Sequence, residues 1–262
     1  MELTAERVEA LARRLLDAYD RRTEIPALTD EQPELSEADG YRIQRALLEL
    51  FRQRGARVVG KKTGLTSRAK QQAMGVPEAI YGYLLDTYLL HEPGPVRLAE
   101  LIHPRLEPEL AFILGERLQG PGVTTAQALA ATRAVVPALE VIDSRYRDFK
   151  FRLADVVADN CSASRVVLGR EVVPLAGLDL RLQGMVLEKN GEVVDTGAGA
   201  AVLGHPASAV AWLANKLAAV GEALEPGDIV LPGAPCEAVF VQAGDEIRVT
   251  FDRVGSVTAR VV

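Results

Sequence analysis

The chain has 262 residues, 48% hydrophobic and 25% charged, which is the balance of an ordinary globular protein long enough to bury a full core. A formal net charge of −6 and a pI near 5.3, with Lys and Arg scattered among acids, argue against nucleic acid as a partner. No apolar run approaches the roughly 20 residues of a membrane span, the N-terminus is too acidic for a signal peptide, and Cys161 and Cys236 read as free thiols of a cytoplasmic protein.

Residues 4–22 carry Val8, Leu11, Leu15 and Tyr19 at the spacing of one helical face. After the irregular connector "TEIPALTDEQPE", a second helix is predicted from Ser36, with Asp39 placed for a reciprocal cap and Ile43, Leu47, Leu50 and Phe51 on one stripe. Residues 1–55 thus form a helical region, and 56–262 a β-rich catalytic domain. Strands are predicted at 57–63, 106–114, 134–142, 165–168, 184–188 and 228–231, with helices at 125–133 and 206–220. The C-terminus closes as a hairpin of 246–251 and 256–262 turning at Gly255-Ser256. Strands outnumber helices without a βαβ rhythm, so the expected class is α+β, a mixed or mostly antiparallel roll. No dinucleotide fingerprint or P-loop is present.

Within "HPRLEPELAF" two acids, Glu107 and Glu109, fall on one face of a strand that is apolar beyond them on both faces. Either they lie on a wet edge, which Pro108 favours, or a cation sits between them. Glu140 is a lone acid inside "VVPALEVI" and, if buried, needs an Arg, a proton or a metal as partner. Three carboxylates would suit Mg²⁺ or Mn²⁺, whereas three scattered histidines and no HExxH disfavour zinc. Lys62 ends a strand in "VVGKKTGLTS"; of the pair Lys61-Lys62, one is solvent-facing and the other free to meet an anion. Asp159, Asn160 and Ser162 crowd "DVVADNCSASRVVLG", where turn formation alone would explain them.

The ordered set "GKKTGLTSRAKQQAMGV", "IHPRLEPELAF", "PALEVIDSRYRDFKF", "VADNCSASRVVLG", "EKNGEVVDTGAGAAVLGHPASAVAWLANKL" and "EPGDIVLPGA" resembles the hydratase/decarboxylase branch of the fumarylacetoacetate hydrolase superfamily over nearly the whole chain. That resemblance implies a β-roll with an N-terminal helical region and Mg²⁺ or Mn²⁺ held by Glu107, Glu109 and Glu140. It also implies Lys62 as the catalytic lysine and substrate contacts at Leu65, Ile80, Tyr81, Asp159 and Ser162. A small 2-oxo dicarboxylic acid is the implied substrate, with a homo-oligomer and a complex with a sister hydratase as implied assemblies.

Decarboxylases and hydratases of this branch share the metal site. "PEAIYGYLLD" places Ile80 where the hydratases carry an acid able to move a proton, and this, with "DSRYRDFKF", resembles the decarboxylases. Hydration of 2-oxopent-4-enoate or 2-oxohept-4-ene-1,7-dioate is the alternative, with Glu78 as a possible substitute acid. A C–C hydrolase would need a His–Glu base, and a non-enzymatic partner of a sister hydratase would not need the carboxylate triad. Pro232 and Pro235 in "LPGAP", and Pro108 itself, depart from the family's usual residues.

Overall fold

The structure is a computed structural model and describes residues 3–262. In chain order it contains α1 (Ala5–Arg21), α2 (Leu28–Glu31), α3 (Glu37–Gln53), β1 (Val58–Gly64), α4 (Arg68–Met74), β2 (Ile80–Leu85), β3 (Leu89–His91), β4 (Pro95–Val96) and β5 (Arg105–Leu114). There follow α5 (Thr125–Ala131), β6 (Thr132–Ile142), α6 (Leu153–Ala158), β7 (Ala163–Leu168), β8 (Gly184–Lys189), β9 (Glu192–Ala198), α7 (Pro206–Ala218), β10 (Ile229–Leu231), β11 (Val239–Phe240), β12 (Glu246–Phe251) and β13 (Gly255–Val261).

The amphipathic pattern of the first helices is realised as burial. Val8, Leu11 and Leu15 of α1 pack with Ile43, Leu47, Leu50 and Phe51 of α3 in the main core. At Ser36 the hydroxyl accepts from Asp39 N while the Asp39 carboxylate accepts from Ser36 N, the reciprocal cap expected from the sequence.

An eight-stranded sheet runs in the order β2-β1-β10-β5-β6-β7-β3, with β11 also on β5; a five-stranded sheet runs β4-β13-β12-β8-β9. Most neighbours are antiparallel, while β1–β10, β3–β7 and β4–β13 are parallel, as a mixed roll requires. The terminal hairpin buries Ile247, Val249, Phe251, Val257, Ala259 and Val261 by strict alternation. Its turn lies earlier than expected: Gly255 and Ser256 already pair with Phe251 and Thr250, and Arg253 takes the left-handed conformation in the three-residue turn before them. Residues 132–133, expected to be helical, open β6 instead, because a β-branched Thr132 begins the pairing with Leu114.

Strands β5 and β6 pair along nearly their full length and form the floor beneath the acidic residues. On its other side β5 meets β10 at Phe112 and Ile113 and β11 at Arg105 and Leu106. Pro108 falls in the gap between those two pairings, which accommodates a residue with no N–H to donate.

Candidate metal centre

Register alone brings the acids together. Glu107 is the direct antiparallel partner of Glu140, and Glu109, one repeat along the same face, faces Ala138, whose methyl leaves room for a carboxylate. One oxygen from each of Glu107, Glu109 and Glu140 lies within 4.8 Å of the others. Glu109 and Glu140 are fully buried, and Glu107 is half-buried. The gap beside Pro108 is filled by Gly233, whose N–H donates to Glu109 Oε2 at 2.7 Å. Gly233 has φ +110°, and a Cβ there would lie 2.0 Å from Thr66 Oγ1, so only glycine brings this N–H to the carboxylate. Sequence reasoning missed Gly233, although the "LPGA" motif that holds it was among the matching segments.

Lys62 extends from β1 onto the same face. Its Nζ lies 3.2 Å from Glu140 Oε2 and donates to Cys161 O at 3.3 Å. Burial pulls this ammonium down, but Glu140, Glu107 and Glu109 outweigh burial and hold it above the usual lysine range. Burial pushes Glu140 up, to about 7, with Lys62 offsetting part of the rise. Glu109 is raised well above the carboxylate range, first by burial and then by Glu140. Lys61, one residue earlier, faces away but is not the solvent-facing lysine expected: it is buried, with Asp228 at 3.1 Å as its counter-ion.

The Cys161 carbonyl belongs to an unusual turn. Asn160, Cys161 and Ser162 have φ of 49°, 52° and 58°, three consecutive left-handed residues without a glycine. Each such residue costs about 1–2 kcal/mol relative to right-handed backbone, so the surrounding contacts must hold the turn in place.

The expected substrate-contact residues fare differently. Ile80 and the half-buried Leu65 pack with Val156, Val157 and Cys161, forming an apolar wall beside Lys62. A Cβ on Gly64 would lie 3.1 Å from Ile80 and 3.8 Å from Lys62 Nζ, which fixes how close that wall stands. Ser162 Oγ is buried without a hydrogen-bond partner. Tyr81 corrects the expectation: the residue of β2 on the Lys62 face is Gly82, so the Tyr81 ring turns to the opposite, helix-covered side and stacks on Tyr41 at 4.6 Å. Asp159 is likewise consumed: one oxygen accepts from Arg145 Nε and the other from Arg145 N, leaving the carboxylate to anchor a buried arginine. Glu78 is turned toward α7, where it accepts from Lys216 Nζ at 2.6 Å and Trp212 Nε1 at 3.0 Å.

The donor set fits a hard dication. Glu109 Oε1 and Glu140 Oε1 are buried with no hydrogen-bond partner and Glu140 Oε2 meets only the Lys62 ammonium, a costly arrangement for three clustered carboxylates unless a further cation shares them. Oxygen ligands alone, with no histidine or cysteine in the group, suit Mg²⁺ or Mn²⁺ rather than zinc.

Comparisons with known proteins agree with this geometry. The family described as "Fumarylacetoacetate (FAA) hydrolase C-terminal" matches residues 57–262. The chain is 47% identical over 260 residues to a 4-oxalocrotonate decarboxylase of Pseudomonas sp. (strain CF600), covering 99% of this chain and 98% of that protein. It is 40% identical over 251 residues to a 2-hydroxyhexa-2,4-dienoate hydratase of Comamonas testosteroni, covering 95% of each. The 4-oxalocrotonate decarboxylase of Pseudomonas putida G7, solved with magnesium and adipate, superposes with a TM-score of 0.97 at 44% identity, covering 100% of this chain and 99% of that one.

Proposed function

Since this chain belongs to the fumarylacetoacetate hydrolase family, we propose that it is a metal-dependent carboxy-lyase converting 4-oxalocrotonate (2-oxohex-3-enedioate) to 2-hydroxypenta-2,4-dienoate and CO₂. The observation that carries the proposal is the cluster of buried carboxylates, with Oε1 of Glu109 and Oε1 of Glu140 unpartnered, beside Lys62 and an apolar wall.

Glu107, Glu109 and Glu140 would hold Mg²⁺ or Mn²⁺, which when bound supplies Lewis acidity to an α-keto acid. Lys62, kept cationic by its carboxylate neighbours, donates a hydrogen bond to the 2-oxo oxygen as charge gathers there. The bond between C5 and the terminal carboxylate breaks, its electron pair moves through the alkene to that oxygen, and CO₂ leaves. Protonation of the oxygen gives the hydroxydienoate. Ile80 and Leu65 shield the departing carboxylate from water, which favours neutral CO₂ over the anion. Ser162 Oγ, buried and unpartnered, serves as a hydrogen-bonding contact for the substrate.

Hydratases are also among the relatives, so hydration of 2-oxopent-4-enoate or 2-oxohept-4-ene-1,7-dioate is the competing activity. Against it stand Ile80, which transfers no proton, and Glu78, whose two oxygens are occupied by α7. Among the described residues no helix is long and apolar enough to cross a membrane. The same proposal places the enzyme in the cytoplasm, in aromatic-compound degradation, as a homo-oligomer associating with a sister hydratase. The test is to supply Mg²⁺ and 4-oxalocrotonate to the purified protein and follow CO₂. Hydration of 2-hydroxypenta-2,4-dienoate without CO₂ release from oxalocrotonate would reverse the assignment.

A further inference from the structure

Strand β2 is one margin of the eight-stranded sheet, so the outer main chain of Tyr81 and Tyr83 has no strand to pair with. Side chains stand in for that strand. Asn160 Oδ1 accepts from Tyr83 N at 2.8 Å and Asn160 Nδ2 donates to Tyr83 O at 2.9 Å, the two bonds a neighbouring residue of a strand would make. Cys161 Sγ donates to Tyr81 O at 3.0 Å, two residues along the same margin.

Between the two tyrosines lies Gly82, the register partner of Lys62. A Cβ on Gly82 would lie 2.7 Å from Asn160 O, so the turn and the strand meet only because this residue has no side chain. The bare backbone also clears the way for Lys62 to reach across β2 and donate to Cys161 O. The left-handed turn is therefore docked on β2 by the Asn160 carboxamide, with the Cys161 thiol as a further contact, and the carbonyl it presents is one of the groups that fix the ammonium beside Glu140.

We infer that Asn160 is a positioning residue: its paired hydrogen bonds to Tyr83 lock the 160–162 turn so that the Cys161 carbonyl aims Lys62 at the reacting oxygen. The role of Lys62 here rests on the decarboxylase reading. Asparagine also tolerates left-handed backbone better than most residues, which gives a bland alternative in which the carboxamide is incidental.

Asn160→Gly separates the two, because glycine accepts the left-handed φ without strain yet makes neither bond to Tyr83. The expected result is that Asn160→Gly and Asn160→Ala both lower kcat, by about 10²-fold, as small misplacements of a catalytic group do. KM and the Mg²⁺ dissociation constant measured by calorimetry should stay within about threefold, since the carboxylates lie on other strands. A crystal structure of Asn160→Gly should show Lys62 Nζ withdrawn from Cys161 O, a readout that holds whatever reaction the enzyme performs. Wild-type turnover in Asn160→Gly, or loss of Mg²⁺ affinity in parallel with kcat, would overturn the inference. A wild-type protein that releases no CO₂ would instead sink the decarboxylase reading and leave the Lys62 displacement still measurable.

Discussion

Glu78 and Lys216 are joined at 2.6 Å across the gap between the end of the β1–β2 connection and α7. Burial raises the Glu78 carboxyl, but the hydrogen bonds from Lys216 and Trp212 outweigh it and leave the group below its ordinary value. An acid held ionised in this way is a poor proton donor at neutral pH. Glu78→Gln should therefore leave decarboxylation within about threefold of wild type, a size expected of a group outside the reacting set. The pair's stability is present above the unfolded carboxylate value and is lost as pH falls through the lowered folded value. Lys216→Met should accordingly cost about 1 kcal/mol or less at pH 7, as half-exposed pairs do, and the difference should fade in melts at acid pH.

Removing the metal should destabilise the protein, and neutralising one ligand should reverse that. Three clustered carboxylates repel, so Glu109→Gln, which leaves the Lys62–Glu140 pair in place, should raise the melting temperature of the metal-free protein while abolishing its rise with Mg²⁺. In wild type, Mg²⁺ at a hundred times its Kd should add about 2.7 kcal/mol. Differential scanning calorimetry with and without chelator measures both effects.

Proton release should accompany metal uptake. In the metal-free protein burial, partly offset by Lys62, raises Glu140 from 4.5 to about 7. The raised group stabilises the fold below 4.5, and that contribution disappears as pH rises through about 7. Metal-free protein should thus lose stability between those values, while Mg²⁺ binding tightens over the same window. Calorimetry at pH 6 in buffers of different ionisation enthalpy reads the released proton directly.

Lys62→Met should lower kcat by about 10²–10³-fold, the size seen when an oxyanion donor is removed. It should also tighten Mg²⁺ binding, because it deletes a positive charge 3.2 Å from Glu140. Weaker Mg²⁺ binding in that variant would contradict the arrangement.

Gly233→Ala should destabilise the protein by more than about 1 kcal/mol, since alanine at positive φ is strained and Thr66 occupies the space its methyl needs. The displaced N–H leaves Glu109, so Mg²⁺ affinity should change with it. Thermal melts and calorimetry together test this.

The parts of the site that were legible in the sequence are those where strand period does the positioning. Alternation in "RLEPEL" and a lone acid in "PALEVI" sufficed to suggest three carboxylates on one surface, and β5–β6 register brings them together. That logic has no purchase on "IYGYLL", a wholly buried strand with no polar alternation to reveal its faces and not among the expected strands. Tyr81 is expected at the site from the family resemblance alone, and the position on the Lys62 face belongs to Gly82. Asp159 misled because its partner, Arg145, sits far enough back in sequence to hide a buried ion pair. Gly233 and the Cys161 carbonyl act through main-chain atoms, which no side-chain pattern announces. α6 was hidden for a different reason: its six residues, "LADVVA", are too few to show a helical period.

The outer margin of β2 also bears on how the protein behaves in a crowded solution. Every hydrogen-bonding group of Tyr81 and Tyr83 on that side is taken, by Tyr41, Gln44, Asn160 and Cys161. A foreign strand arriving there finds no ladder to extend, so this rim resists recruitment into intermolecular sheets and aggregates without the charged or proline-rich borders that other proteins use.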